Sequence, residues 1–193
     1  MSPQEAMAGT ISLRTPRLLL RRHVTEDAGL LYQNFGMDAA MYRYSGWNPY
    51  ATPEQARETV QRFIESYADP RFYGWAIERE GRMIGTIGAY DHDPEKNQIE
   101  VGFSIERASW GKGYAAEALH AVLEYLTVRE GIAHVTAWCA SDNIASGRTM
   151  EKAGMRLSGI DTGGLEVIIS DVDRKSTRLN SSHPTTSRMP SSA

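Results

Sequence analysis

The segment from Ile99 to Leu126 limits what this chain can fold into more than any other. Ile99-Glu100-Val101-Gly102-Phe103-Ser104-Ile105 alternates strictly, so a strand here turns Ile99, Val101, Phe103 and Ile105 to one face and Glu100, Gly102 and Ser104 to the other. The apolar set marks the core face. The opposite face carries a carboxylate beside small residues and reads as open. Arg107 to Glu117 (RASWGKGYAAE) follows directly, then a long helix with Ala115, Ala118, Leu119, Val122, Leu123 and Leu126 at spacings of three and four. Glycines let a backbone come close to a ligand. The first helical amides have no acceptor within the helix, and the helix dipole makes that end partly positive. Strand, glycine turn and helix start, in that order, make a site for a phosphate or pyrophosphate. Two glycines alone would sooner make a plain tight connection. The segment is not a Walker loop, because Gly-x-x-x-x-Gly-Lys-Ser/Thr is absent. Nor is it a dinucleotide fingerprint: Ala116 stands where a third glycine belongs, and the strand lies deep in the chain after a hairpin.

The rest of the body alternates strands and helices. Leu18 to Arg22 reads as an opening strand, and Thr25-Glu26-Asp27 starts a helix with Ala28, Leu31, Tyr32 and Phe35 on one face. Thr52-Pro53-Glu54-Gln55 is a capping box that opens a second helix, with Ala56, Val60, Phe63, Ile64 and Tyr67 as its stripe. Between these helices lies an aromatic loop holding Tyr42, Tyr44, Trp47 and Tyr50. Tyr73–Glu80 and Met83–Tyr90 read as a hairpin turning at Glu80-Gly81-Arg82. His134 to Cys139 is a further strand, followed by Asn143 and a short helix that Gly154 closes. Arg174 to Ala193 is rich in Ser and Thr and poor in apolar residues, so it reads as a disordered basic tail with the look of a translated cloning scar.

Composition narrows the function classes. The 24 acidic and 21 basic residues give −3 overall. Four of the basic residues and none of the acidic ones lie in the last twenty positions, so residues 1–173 carry −7. An acidic body is a poor partner for nucleic-acid phosphates and a better one for cationic substrates. No apolar run approaches the roughly 20 residues that span a bilayer, and Met1 to Gly9 lacks the pattern of a secretory signal. The single cysteine, Cys139, excludes internal disulfides and cysteine-rich zinc sites, and the histidines show no metal-ligand spacing. These features point to a cytoplasmic protein with neither nucleic-acid nor membrane partner.

The motifs E-x-G at Glu100–Gly102, W-G-K-G-Y-A-x-E-A-L at Trp110–Leu119 and N-x-x-S-x-x-x-x-E-K-x-G-M at Asn143–Met155 together resemble the GNAT superfamily of acyl-CoA-dependent N-acetyltransferases. With Thr15-Pro16-Arg17-Leu18-Leu19-Leu20-Arg21 and Gly81-Arg82-Met83-Ile84-Gly85-Thr86-Ile87-Gly88, the resemblance is closest to the RimJ/RimL-type branch and covers about residues 12–160. It implies an α/β domain over residues 10–170, with a mixed, mostly antiparallel sheet that splays in a V between two central parallel strands, flanked by helices. The tail, 174–193, lies outside that domain. After Gly159 the family continues through two antiparallel strands. This chain offers Leu165–Ile169 and then the polar tail, so the final strand is expected to be missing or replaced.

The resemblance also assigns roles. Amides of Gly111, Lys112, Gly113, Tyr114, Ala115 and Ala116 would hold the pyrophosphate of acetyl-CoA, with Lys112 adding charge and Trp110 standing where Arg or Gln is usual. The main chain of Phe103, Ser104 and Ile105 would pair with the pantetheine arm, and Asn143 would either bind that arm or cap the next helix. The reaction implied is direct acetyl transfer to a primary amine, in a small molecule or at a protein N-terminus. Glu100 would be the proton acceptor, and an amide near Phe103 would steady the oxyanion. A proton donor to the thiolate falls on Ser146, because Met150 occupies the place of the usual tyrosine; Tyr114 and Tyr90 are weaker candidates. Trp47 and Tyr50 either touch the acceptor or pack the helix connection. No metal is expected, and the chain would act as a monomer or homodimer. A non-catalytic acyl-CoA-binding module and an inactive truncated copy are the competing readings.

Overall fold

The computed structural model describes residues 7–140, 142–160 and 165–171. Their strands form a single mixed sheet in the order β1-β2-β3-β4-β5-β6-β8-β7. The strands are β1 (Leu13–Arg14), β2 (Leu19–Arg21), β3 (Tyr73–Arg79), β4 (Arg82–Asp93), β5 (Gln98–Ile105), β6 (His134–Ala140), β7 (Arg156–Ile160) and β8 (Leu165–Asp171). All neighbours are antiparallel except β5 and β6. Helix α1 (Asp27–Leu31) runs on into a π-type turn, Tyr32–Gly36, and α2 spans Pro53–Ser66. Helix α3 (Tyr114–Glu124) likewise continues as a π-type turn through Arg129, and α4 spans Ile144–Lys152.

Local chemistry sets these boundaries. Glu80 and Gly81, at φ 50° and 78°, form the two-residue turn that matches the twist of β3 and β4. Thr52 Oγ1 accepts from the Gln55 amide at 3.1 Å, with Pro53 beginning α2, as the capping box requires. Helix α4 ends at Gly154, φ 101°, where the Met155 amide reaches back to the Met150 carbonyl at 3.0 Å. Thr25 differs from expectation. Its side chain caps nothing; its carbonyl accepts from Ala28, while Asp27 takes the Val24 amide.

Strand alternation produces two cores. Trp75 and Ile77 join Ile99, Val101, Phe103, Val135, Leu119, Val122 and Met150 in one cluster. Ala76, between them, belongs to another with Leu31, Phe35, Ala56 and Val60. The helix pairs α3/α4 and α1/α2 therefore cover opposite faces of the sheet.

Two further expectations need correction. Two strands follow α4 rather than one: β8 inserts between β6 and β7, pairing antiparallel with both. The β-branched run Val167-Ile168-Ile169 takes an interior position in the sheet, and Arg156–Ile160 forms the edge beyond it. The strand expected to be missing or replaced is thus present, and the tail 174–193 lies outside the described residues. The second correction concerns Glu100. With β4 and β6 flanking β5, Glu100 lies between Tyr90 and Thr136, and it is only 3% exposed rather than on an open face.

Candidate active site

The parallel pairing of β5 with β6 is short. It runs from Gln98–His134 through Ile99–Val135 to Glu100–Thr136, although β5 continues to Ile105 and β6 to Ala140. Beyond Glu100 the two strands form a fork. β5 stays paired with β4 up to Ile105, whereas its pairing with β6 ends at Glu100. Glu100 sits at the fork's apex, opposite Tyr90 on β4 and Thr136 on β6. Of the three residues expected to pair with an extended ligand, the Ile105 carbonyl is already used: the Trp110 indole donates to it at 2.7 Å. The main chain of Phe103 and Ser104 remains on the fork.

The β5 strand leads straight into the glycine turn. Gly111 (φ 75°) and Gly113 (φ 79°) both lie in the left-handed region, which a side chain would strain. A Cβ placed on Gly111 would meet nothing within 4 Å, so the turn faces open space. Gly111, Lys112 and Gly113 are exposed, Ala116 half-buried, and Tyr114 and Ala115 buried. The first bond of α3 is the Glu117 amide to the Gly113 carbonyl at 3.1 Å, so the amides of Tyr114, Ala115 and Ala116 precede the helical ladder.

Two groups that the sequence reading did not single out hold this turn. The Arg17 guanidinium donates to the Lys112 carbonyl at 3.0 Å, pairs with Glu117 at 3.3 Å and lies 4.5 Å above the Tyr114 ring. Only the TPRL motif hinted at it. Glu106 is 4% exposed at the end of β5 and accepts from Arg82 at 2.6 and 2.9 Å, from Asn34 at 3.0 Å and from Ser109 at 2.9 Å. Burial pushes its carboxyl up, but these donors outweigh burial and hold it below the usual range. Glu106 thereby ties the turn to β4 and to the segment after α1.

A cavity of about 610 Å³ opens on the α1/α2 side of the sheet. Its floor includes Thr86, Gly88 and Tyr90 of β4 and Gly102, Phe103 and Ser104 of β5, and its roof is the aromatic loop. Gly102 makes room for Tyr90, whose hydroxyl would stand 2.8 Å from an added Cβ. Trp47, 51% exposed, and Tyr50, 9% exposed, both line the cavity, and Tyr50 also packs edge-on against Phe35. Burial drives the Tyr50 phenol far above its ordinary range, so it stays protonated. Glu100 is not among the lining residues; it lies behind Tyr90 at the apex.

At the far end, His23 stacks on Phe63 at 4.9 Å, and its Nδ1 lies 3.4 Å from Asp27. Burial would raise the Asp27 carboxyl, but the neighbouring His23 ring together with hydrogen bonds from Arg21 and the Val24 amide holds it well below the carboxylate range. Tyr114 is buried beneath Arg17 and Arg79 and does not line the cavity.

On the other side of the fork, Asn143 Oδ1 accepts from the Ser146 amide at 3.3 Å, which is the capping alternative. Ser146 is fully buried, and its hydroxyl has no hydrogen-bond partner among the described residues. Met150 is core, and Cys139 is buried in the same cluster. No grouping of three or more potential metal ligands occurs among the described residues, and no helix among them is long and apolar enough to cross a membrane.

Residues 17–156 match the family model of the acetyltransferase (GNAT) domain. The uncharacterized N-acetyltransferase YoaA of Bacillus subtilis is 32% identical over 150 residues, covering 77% of this chain and 84% of its own length. An acetyltransferase of the GNAT family from Bacillus anthracis superimposes with a TM-score of 0.72 at 22% identity, covering 83% of this chain and 98% of that one. RimL, the ribosomal L7/L12 alpha-N-protein acetyltransferase, in complex with coenzyme A, superimposes with a TM-score of 0.73 at 19% identity, covering 84% and 99%.

Proposed function

This chain belongs to the GNAT acetyltransferase family, and on that premise we propose that it transfers an acetyl group from acetyl-CoA to a primary amine in a single ternary complex. The observation that carries the reading is the fork opening at Glu100, from which β5 runs directly into a left-handed glycine turn at a helix start. The residues present fit the coenzyme. Gly111 leaves the turn without a side chain where a diphosphate would lie, and the amides up to Ala116 are ahead of the helical ladder. Lys112 and Arg17 supply positive charge beside them. The stretch of Phe103 and Ser104, past the end of the β5–β6 pairing, suits an extended pantetheine arm, which would hydrogen-bond there as an added strand does. Acetyl-CoA supplies the activated acyl group.

The chain's own residues handle position and protons. Glu100, at the apex and withdrawn from water, accepts the proton that the amine must lose, through Tyr90 or a bridging water. The bond from amine nitrogen to acetyl carbon forms as the carbon–sulfur bond breaks. Ser146 has a buried hydroxyl with no other acceptor among the described residues, and it returns a proton to the departing thiolate. An amide of the fork near Phe103 lies toward the carbonyl oxygen as charge develops on it. Holding both reactants against the fork supplies much of the acceleration.

A thiol-release assay with acetyl-CoA and a panel of amines tests this, run on the parent protein and on Glu100→Gln. Turnover should fall about 100-fold or more in the variant, with acetyl-CoA affinity unchanged. Affinity for acetyl-CoA without thiol release in the parent would instead favour a binding module.

A further inference from the structure

Resting on the acetyltransferase reading, we propose that the acceptor is a small primary amine with an aromatic body and no anionic group, seated in the cavity beside the fork. Three features of the lining carry this. The first is its walls. His23 stacks on Phe63 at 4.9 Å, Phe63 on Phe72 at 6.3 Å, and all three line the far end, facing Trp47 and Tyr42 of the roof. A cavity of about 610 Å³ walled in this way takes a ring system whole.

The second is charge. None of the lining residues is Lys or Arg, and the carboxylate among them is Asp91. Asp91 sits at φ 55° where the β4–β5 register shifts between Tyr90 and Asp93, so a bulge presents it beside the floor of the cavity. An acceptor carboxylate or phosphate would be desolvated here with no counter-ion. A polyamine or aminoglycoside would bring several ammonium groups to one acid. A single ammonium is matched.

The third is the state of the polar roof. Ser45 Oγ donates to the Tyr42 carbonyl at 3.2 Å and lies 3.0 Å from the Trp47 carbonyl. Asn48 spends its amide on the Gly36 carbonyl at 2.9 Å and its oxygen on the Tyr50 amide at 3.0 Å. Ser45 and Asn48 are committed to the loop and to Gly36, so this part of the roof offers little to the peptide groups of a protein N-terminus. A compact amine with an apolar body asks for nothing more.

The test compares 2-phenylethylamine, phenylalanine, spermidine and an amino-terminal peptide as acceptors in thiol release. In parallel, calorimetry follows 2-phenylethylamine binding to the protein saturated with coenzyme A. The expected result is a kcat/KM for phenylethylamine about 100-fold above each of the others, because unmatched buried charge is rejected strongly. Asp91→Asn, which the left-handed backbone tolerates, should raise the amine's KM about tenfold, the loss of one charge-assisted contact, with acetyl-CoA affinity unchanged. Equal or better efficiency with phenylalanine, spermidine or the peptide overturns the acceptor class while the transferase reading stands. Absence of phenylethylamine binding overturns it whatever the turnover. No thiol release with any amine, together with no uptake of acetyl-CoA, removes both.

Discussion

Replacing Glu106 with Gln should loosen the whole catalytic side of the sheet. The carboxylate accepts four hydrogen bonds, two from Arg82 and one each from Asn34 and Ser109. A glutamine can rotate to satisfy Asn34 or Ser109, since an amide can flip and a hydroxyl can accept. It cannot satisfy both nitrogens of Arg82, so one donor faces another. Breaking a buried ion pair costs about 3–5 kcal/mol when the surviving charge is trapped. Here the Arg82 side chain is 49% exposed and can turn to water, so the loss should be nearer 2–3 kcal/mol, in line with about 1.5–3 kcal/mol for a hydrogen bond to a charged group. At about 2–4 °C per kcal/mol for a chain of this size, the unfolding midpoint should drop by about 4–12 °C at pH 7. Because the Glu106 carboxyl is held below its ordinary range, its contribution is present above about pH 4 and fades as pH falls through the folded value. The gap between parent and variant should therefore narrow in acid. Arg82→Met combined with Glu106→Gln should cost less than the sum of the two single changes. A Glu106→Gln midpoint within about 0.5 kcal/mol of the parent at pH 7, or a gap that widens in acid, would refute the reasoning.

Ser146→Ala should leave stability almost unchanged, since the hydroxyl bonds nothing among the described residues, and should lower kcat about tenfold or more if it donates a proton to the thiolate; steady-state kinetics at saturating acetyl-CoA reads this, and an unchanged kcat removes Ser146 from the mechanism. Asp27→Asn abandons contacts to Arg21 and His23 and should cost about 3 kcal/mol at pH 7. Its folded carboxyl lies well below the usual range, so that stability is present above about pH 4 and lost as pH falls further. Urea midpoints should thus differ from the parent at pH 7, and by a smaller margin at pH 3, where part of that stability has been lost.

Where local pattern decides the outcome, the sequence was legible. The capping box at Thr52, the Glu80-Gly81 hairpin, the alternation from Val101 to Ile105 and the glycine turn all took the forms their residues dictate. Each rests on neighbours within a few positions. The openness of Glu100 was misjudged because alternation tells which face a residue takes, not what covers that face; it lies between Tyr90 of β4 and Thr136 of β6, and the latter strand is laid down some 35 residues later. The position of β8 was hidden for the same reason, since pairing partners leave no periodic trace. Arg17 reaches Glu117 across 100 positions and Glu106 reaches Asn34 across 72, so neither could be read as a support of the turn from composition or spacing. His23 and Asp91 looked like ordinary polar residues until the fold gathered them around one cavity.

The central claim is that main-chain amides between Gly111 and Ala116, rather than a charged side chain, grip the coenzyme's diphosphate. Isothermal titration of acetyl-CoA into the parent, Lys112→Ala and Gly111→Val tests it most directly. The account predicts saturable binding to the parent, a loss of only a few-fold in Lys112→Ala, and a loss of about tenfold or more in Gly111→Val, whose left-handed backbone a branched residue resists by about 1–2 kcal/mol. No binding to the parent, or binding in Gly111→Val equal to the parent's, would contradict it.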